Sequence, residues 1–513
     1  MKLSFKCSSE SQNDTSLIKR LYNGSYIFIT GATGFLGKIL LCKLLTSCPD
    51  IKNIYVLVRS KKNIDLHRRI DEILNDPIFK SAQNANPYYR RQVIAVGGDC
   101  QLPGLGICPA DRKMLVEHVN IVYHMAATVR FDEKLKMALR INVISAYDVL
   151  QLCKEMRNLQ SVVHVSTAYT HCPRKYIEEK FYPIPIDAGS LMLMAECIPE
   201  NILEQITPIV LCKWPNTYTF TKAVAEEVIR CFGECLPIGV FRPGIVISTY
   251  REPVVGWIDN FYGPTGAIAG AGTGVLRTLH CKPKAIANMV PVDLCINSLI
   301  AASWDIQVKY QKIKTGSYSI PVYNFCTSED NQLSWGDFTS RTTKYGLMYP
   351  SLKAIWYLCY SNTPSKVIHL LLVFFLHYIP ALMGDIICIF SGRKPRLLHV
   401  YKKVHRFMNV IEYFSMREWR FETDNIKMIW NHMTSIDRDI FFFDLNCLDW
   451  ELFLQQYYRG IRHYLLNDPL ETIPKALDKW NRLYWMHQIA KSIICSFVFY
   501  ILWILKNNLC KNI

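Results

Sequence analysis

The N-terminal stretch "MKLSFKCSSESQNDTS" has no continuous apolar run, so no secretory signal is expected and the chain should work facing the cytosol. The sequence has no internal repeat and no long low-complexity linker, which excludes solenoids and extended tethers. Its 19 cysteines are scattered singly, as at Cys42, Cys153, Cys231 and Cys495, and form no zinc-ligand set. They read as buried free thiols of a reducing compartment, not as a disulfide framework. Acidic residues are scarce: 43 Asp and Glu stand against 59 Lys and Arg, for a formal charge of +16. That imbalance suits an anionic partner, whether nucleic acid, membrane or phosphorylated substrate. No basic stripe interleaves with stacking aromatics on a recognisable module, so nucleic acid is set aside.

What the chain has is apolar material. With 513 residues, 50% of them hydrophobic, it can bury a large core and build more than one domain. Residues 26–30, 54–58, 92–96, 120–124, 161–166 and 238–247 are short, apolar and rich in β-branched side chains. Segments of helical spacing lie between them, as at Leu36, Ile39, Leu40, Lys43 and Leu44. The alternation predicts an α/β fold, a Rossmann-type doubly wound parallel sheet covered by helices on both faces. Near residue 350 the composition turns helical, aromatic and basic. The expected division is an N-terminal tail (1–24), an α/β domain (25–350), a helical C-terminal domain (351–490) and a hydrophobic terminal segment (491–513), a candidate membrane anchor.

"TGATGFLGK" (30–38) stands between the first apolar run and a helical segment, the setting in which a glycine-rich turn receives a dinucleotide. Gly31 permits the tight turn, Gly34 lets the backbone approach a pyrophosphate and Gly37 allows close helix packing, with Thr33, Phe35 and Leu36 filling the loop. The pyrophosphate would rest on the positive end of the following helix. The next strand ends in Arg59, followed by Lys61 and Lys62, where a carboxylate would otherwise bind the ribose hydroxyls of NAD. A cationic end accommodates a 2′-phosphate, so NADPH is the expected cofactor. Gly98 and Asp99 after the third strand, and Ala126 within "HMAA" after the fourth, fall where the sheet edge would meet adenine and ribose.

"TYTFTK" (217–222) puts Tyr218 and Lys222 one turn apart on one helix face. A phenol is a poor acid or base at neutral pH, and a nearby ammonium is expected to favour its phenolate and make it competent. "HVSTAY" (164–169) ends a strand with Ser166 and Thr167, either of which could hold a substrate carbonyl against Tyr218; Thr167 is preferred.

Two later segments bear on membranes. Residues 367–390 are long enough to cross a bilayer but contain His369, His377, Pro380 and Asp385, so a helix pair lying on the membrane is an equal expectation. Residues 392–406 follow with Arg393, Lys394, Arg396, Lys402, Lys403 and Arg406 and no acid, a cluster drawn to anionic headgroups. The apolar run 492–505, between Lys491 and Lys506, reaches only about 21 Å as a helix, short for an anchor unless its flanks extend it.

The ordered set "TGATGFLGK", "VYHMAATVRFDE" (122–133), "HVSTAY", "YTFTK", "FRPGIV" (241–246) and "GWIDNFYGPTG" (256–266) resembles the extended short-chain dehydrogenase/reductases, and more narrowly the fatty acyl-CoA reductases. The likeness covers about residues 25–320 and continues through "GRKPRLLHVYKKVHR" (392–406). It implies reduction of a long-chain acyl-CoA by NADPH to the fatty alcohol, in two hydride transfers with release of CoA. It also implies that Tyr218 and Thr167 bond the reacting oxygen, that Lys222 binds the nicotinamide ribose, and that Pro243, Gly244 and Ile245 lie along the nicotinamide. A membrane-associated enzyme of the endoplasmic reticulum or peroxisome, serving wax or ether-lipid synthesis, is the corresponding expectation. The rivals are a hydroxysteroid dehydrogenase or nucleotide-sugar epimerase, which would share the loop, Tyr218 and Lys222, and a non-catalytic membrane scaffold.

Overall fold

The computed structural model describes residues 15–59, 65–312, 318–327 and 329–511; Lys61 and Lys62 fall outside them. The described residues form two compact units. The first draws on Met1–Val255, Ile286–Leu333 and Glu418–Asp449, the second on Gly256–Ala285, Ser334–Arg417 and Trp450–Ile513. Each is discontinuous in sequence, so no single cut in the chain separates them.

The first unit is built on seven strands: β1 (Tyr26–Thr30), β2 (Asn53–Val58), β3 (Val93–Gly97), β4 (Ile121–His124), β5 (Ser161–Val165), β6 (Ile238–Pro243) and β7 (Val322–Phe325). They form one sheet in the order β7-β6-β5-β4-β1-β2-β3, and every pairing is parallel. Its helices include α1 (Phe35–Ser47), α2 (Ser145–Glu155), α3 (Thr217–Phe232) and α4 (Val292–Gln311). On one face Phe28, Val122, Val162, Val240 and Val322 pack with Leu150 of α2 and Phe220 and Val224 of α3. Alternate positions point the other way: Ser161 Oγ donates to Ser303 O of α4 at 2.9 Å, and Tyr123 shares a hydroxyl hydrogen bond with Tyr22. Because both faces are covered, the strands read as unbroken apolar runs. Two strand expectations change in detail. The run 238–247 divides at Gly244 into β6 and a short strand, Ile245–Ile247, that pairs with Met289–Pro291, and β7 joins the sheet edge without having been foreseen.

This strand order reverses direction between β1 and β4, where doubly wound sheets open a crevice at their C-terminal ends. The glycine loop leaves β1 at that point.

The second unit is mostly helical and includes α5 (Lys366–Phe390), α6 (Leu397–Ser415) and α7 (Ile473–Lys511). The terminal apolar run is thus the end of a 39-residue helix and not an isolated segment. The first half of α7 buries Trp480 and Leu483 against Ala354 and Leu358, while Trp485, Ile489, Phe497 and Trp503 are exposed. By length and composition both α5 and α7 are able to cross a membrane. All 17 cysteines characterised are free thiols, but burial holds only for some: Cys42 and Cys153 are buried, Cys231 and Cys495 exposed.

Candidate active site

The loop after β1 is shaped by two glycines. Gly31 has φ +80°, and a Cβ there would lie 2.7 Å from Ala126 N, so only glycine allows this turn beside the end of β4. A Cβ on Gly37 would meet Gly31 O at 2.3 Å, so its absence lets α1 start directly against the turn. Gly34 sits at the N-cap of α1, exposed, and no side chain caps the helix. Thr33, Phe35 and Leu36 are partly exposed around it. A shallow backbone surface at an uncapped helix N-terminus fits a pyrophosphate.

Thr30 ties this loop to its neighbour. Its hydroxyl lies 2.8 Å from His124 Nδ1 and accepts from Met125 N and Ala126 N, both at 3.2 Å. Further along the sheet edge, Arg59 at the end of β2 is more than half exposed, with Nε 4.0 Å from Asp99 Oδ2. Asp99 also accepts from Gln101 N at 3.0 Å. The strand end therefore carries a cation, but with a carboxylate from the next strand within reach.

Helix α3 begins where the side chain of Asn216 accepts from Thr219 N at 2.9 Å. Tyr218 follows in the first turn, partly buried, its ring stacked on Phe131 at 5.5 Å. Burial pushes its phenol up to about 12, and a hydrogen bond with Thr167 opposes that shift. The expectation that Lys222 would depress this phenol is not met in this state, because desolvation outweighs every other influence. Lys222 is itself buried and lowered to about 8 by desolvation, with Glu226 pulling it back up. Its ammonium donates to Val165 O at 2.7 Å, on the last residue of β5. One lysine thereby fixes the strand end that presents Thr167.

Ser166 and Thr167 part company here. Ser166 Oγ donates to Glu226 Oε1 at 2.5 Å and lies 2.9 Å from Thr170 Oγ1. Glu226, one turn beyond Lys222, also receives Arg242 Nε at 2.9 Å and Nη2 at 2.6 Å, and its Oε2 is 3.2 Å from His171 Nε2. Burial would raise this carboxyl, but Arg242 and His171 outweigh it and hold it well below the ordinary carboxylate range. Arg242 is fully buried and also donates to the carbonyls of Glu178 and Lys180. This network, absent from the sequence expectations, is tied through Ser166 to the residue next to Thr167. A Glu four residues after Lys222 and an Arg inside the apolar run "VFRPGIV" were its only sequence signals.

His124 and His164, side by side on β4 and β5 with rings 5.3 Å apart, were also missed. Desolvation lowers both, His124 to about 3, so both stay neutral under Lys222. Asn142, in a π turn, receives Thr128 N at 2.9 Å and donates to Thr221 Oγ1 at 2.9 Å, fixing the loop that carries Phe131 to the helix that carries Tyr218. Pro243 ends β6, Gly244 N donates to Phe325 O at 2.9 Å, and Ile245 N donates to Asn288 O at 2.7 Å. Those three residues thus leave the same sheet edge as Thr167.

Comparisons with known proteins show the family. An NAD-binding family model described as "Male sterility protein" matches residues 29–299, and a second model of that description matches 376–468. The fatty acyl-CoA reductase wat of Drosophila melanogaster is 41% identical over 94% of this chain and 92% of its own length. The chain belongs to the fatty acyl-CoA reductase family. Fatty acyl-CoA reductase 1 of Mus musculus is 35% identical over 97% of this chain and 95% of its own. Among solved structures, the terminal R domain from the myxalamid PKS-NRPS biosynthetic pathway superposes with a TM-score of 0.54, over 87% of this chain and 93% of that one; at 18% identity this likeness concerns the fold. As a member of this family the chain is an oxidoreductase with a nicotinamide-cofactor domain.

Proposed function

We propose that the protein reduces long-chain fatty acyl-CoA to fatty alcohol with NADPH, in two reductions with release of CoA. The observation that carries the reading is the pairing of Tyr218 with Thr167 at the sheet edge, with Ser166 withdrawn into the Glu226 network. The glycine loop (Gly31, Thr33, Gly34, Phe35, Leu36, Gly37), Arg59, Asp99, Ala126, Lys222 and Pro243–Gly244–Ile245 would hold the cofactor. The half-exposed Arg59 favours a 2′-phosphate there. The bound nicotinamide supplies the hydride.

The chain's own residues manage the charge that each reduction creates. Tyr218, protonated at neutral pH because its phenol sits near 12, donates to the carbonyl oxygen as negative charge collects on it. The Thr167 hydroxyl shares that oxygen and lowers the cost of the developing charge. Lys222, charged below about 8, favours the tyrosinate left behind. In the first reduction the thiohemiacetal collapses with loss of the CoA thiolate; in the second the aldehyde takes the phenolic proton. The family relatives named as acyl-CoA reductases support this substrate class, and the +16 charge suits CoA phosphates. The two long apolar helices support membrane association. The reading puts the catalytic unit on the cytosolic side of the endoplasmic reticulum or peroxisome, with the alcohol entering wax or ether-lipid synthesis.

The test is incubation of the full chain with palmitoyl-CoA and NADPH, followed by gas chromatography. Two NADPH oxidised and one CoA thiol released per hexadecanol are expected. Absence of alcohol, with turnover of a sterol or a UDP-sugar instead, overturns the reading. Tyr218→Phe separates enzyme from scaffold: the rate should fall while NADPH still quenches protein fluorescence.

A further inference from the structure

At 25 residues and about 37 Å, helix α5 is long enough to cross a bilayer, yet its packing is that of a helix lying flat. His369, Val373, His377, Ala381 and Asp385 are all buried, one every four residues along its whole length. A straight α-helix would rotate such a ladder by about 40° per step. The π turn at Phe374–Tyr378 adds a residue to one turn and keeps the ladder on one face.

Asp385 and the Nε2 of His377 on that face bond within the second unit, while His377 Nδ1 is buried without a hydrogen-bond partner. Asp385 accepts from the backbone N–H of Arg396, Leu397 and Leu398 at 2.8 to 3.0 Å and so caps α6. Pro380 cannot donate to Leu376 O, and Arg277 Nη1 takes that carbonyl at 2.7 Å. Arg277 N also donates to His377 Nε2 at 3.0 Å. At the other end, Lys366 pairs with Glu412 of α6. The residues that argued against a span in the sequence are the ones that dock α5 against its own unit.

The opposite face is bare and apolar: Phe374, Phe375, Leu382, Ile386, Ile389 and Phe390 are exposed, Phe390 to 88%. Helix α6 runs back along α5, since Asp385 caps its start and Glu412 meets Lys366 near its end. Lys402, Lys403 and Arg406 of α6, and Arg393, Lys394 and Arg396 before it, are exposed. A spanning α5 would carry the middle of α6, with three of these charges, to the depth of the bilayer centre, where they are costly.

We infer that α5 is a one-leaflet insertion: its Phe- and Ile-rich face lies in the acyl boundary of an anionic membrane, while the basic residues at 393–406 meet the headgroups. This deepens the membrane reading above and rests on it, but it is independent of the terminal helix α7. It places a second, lateral contact on the unit that is separate from the dinucleotide sheet.

The test uses the full chain with photoreactive p-benzoylphenylalanine at Phe375 and, as reference, at Phe499 of α7, in vesicles of phosphatidylcholine with phosphatidylserine. Lipid adducts at both positions are expected. Lys394→Gln, Lys402→Gln and Lys403→Gln together should reduce the Phe375 adduct, by up to about fivefold per charge lost, and spare Phe499. A recognition site for a sequence-specific protease inserted after Gly392 should be cut in microsomes from the same side as one placed in the N-terminal tail. Protection of the Gly392 site overturns the inference in favour of a span. Lipid adducts at Phe499 with protein adducts or none at Phe375 overturn it in favour of another occupant. Lipid adducts at neither position overturn the membrane reading itself.

Discussion

Ser166 Oγ and Glu226 Oε1 are 2.5 Å apart, and this contact divides the labour of two adjacent hydroxyls. Ser166 serves the buried network, so Thr167 is the hydroxyl left beside Tyr218. Thr167→Val should therefore lower kcat by about 10²- to 10³-fold, as loss of one donor to a developing oxyanion does, with a loss of stability of about 0.5–2 kcal/mol because its hydroxyl also accepts from Tyr169 N and caps the following turn. Ser166→Ala should lower stability by about 1.5–3 kcal/mol, the worth of a hydrogen bond to a charged group, although Glu226 Oε1 keeps Arg242 Nε, and change kcat by less than about tenfold. Steady-state kinetics and thermal unfolding of the two variants separate the roles. Equal losses of kcat would refute the division.

Arg59 is the one cation at the end of β2 within the described residues, and Asp99 stands 4.0 Å from it. Arg59→Ala should raise KM for NADPH by about 10- to 100-fold, the worth of a charge-assisted contact, and leave KM for NADH nearly unchanged. A parallel rise for both coenzymes would mean that the Arg59 side chain supports the loop through its ion pair with Asp99 and does not read the phosphate.

The parallel sheet was legible because doubly covered strands leave unbroken apolar runs, and β1 to β5 lie within a residue or two of the expected spans. β7 was not legible: its four residues, Val322–Phe325, are shorter than any clear periodicity. The glycine loop, Tyr218 and Lys222 could be placed because spacing alone sets their geometry. Glu226, Arg242 and His171 could not, because they meet only through the fold, from α3, β6 and the turn after β5. The sign of the Tyr218 shift failed for the same reason: sequence spacing gives the distance to a charge but not the depth of burial.

Glu226 and Arg242 are both fully buried, so breaking the pair should cost more than its net worth. Glu226→Gln is expected to destabilise by about 3–5 kcal/mol, since it leaves the Arg242 guanidinium uncompensated. The pH dependence carries a further signature. The folded carboxyl is held below its ordinary value, so its contribution is fully present above about pH 4.5 and is lost as pH falls further. Thermal unfolding of the wild type between pH 6 and 3 should lose the first part of this increment, and the Glu226→Gln profile should be correspondingly flatter. Parallel profiles would show that Glu226 is not the group being titrated.

Lys222 has the opposite sign. Its folded value of about 8 lies below the 10.5 of a free lysine, so between these limits the unfolded chain binds more protons than the folded one. Stability attributable to this group therefore rises with pH from about 8 to 10.5, and below 8 the buried ammonium is a burden of roughly 3 kcal/mol. Lys222→Met removes that burden but strands the Val165 carbonyl, at a cost of about 1–3 kcal/mol, so near neutral pH the two effects oppose each other. The variant should melt within a few degrees of the wild type at pH 7 and fall behind it as pH is raised toward 10. Its kcat should drop by at least about 10²-fold, because the tyrosinate loses its counter-charge. Unfolding curves of both proteins across this range decide the matter. A difference in stability that does not change with pH would mean that Lys222 binds its proton equally in the folded and unfolded chains, so that burial does not displace it.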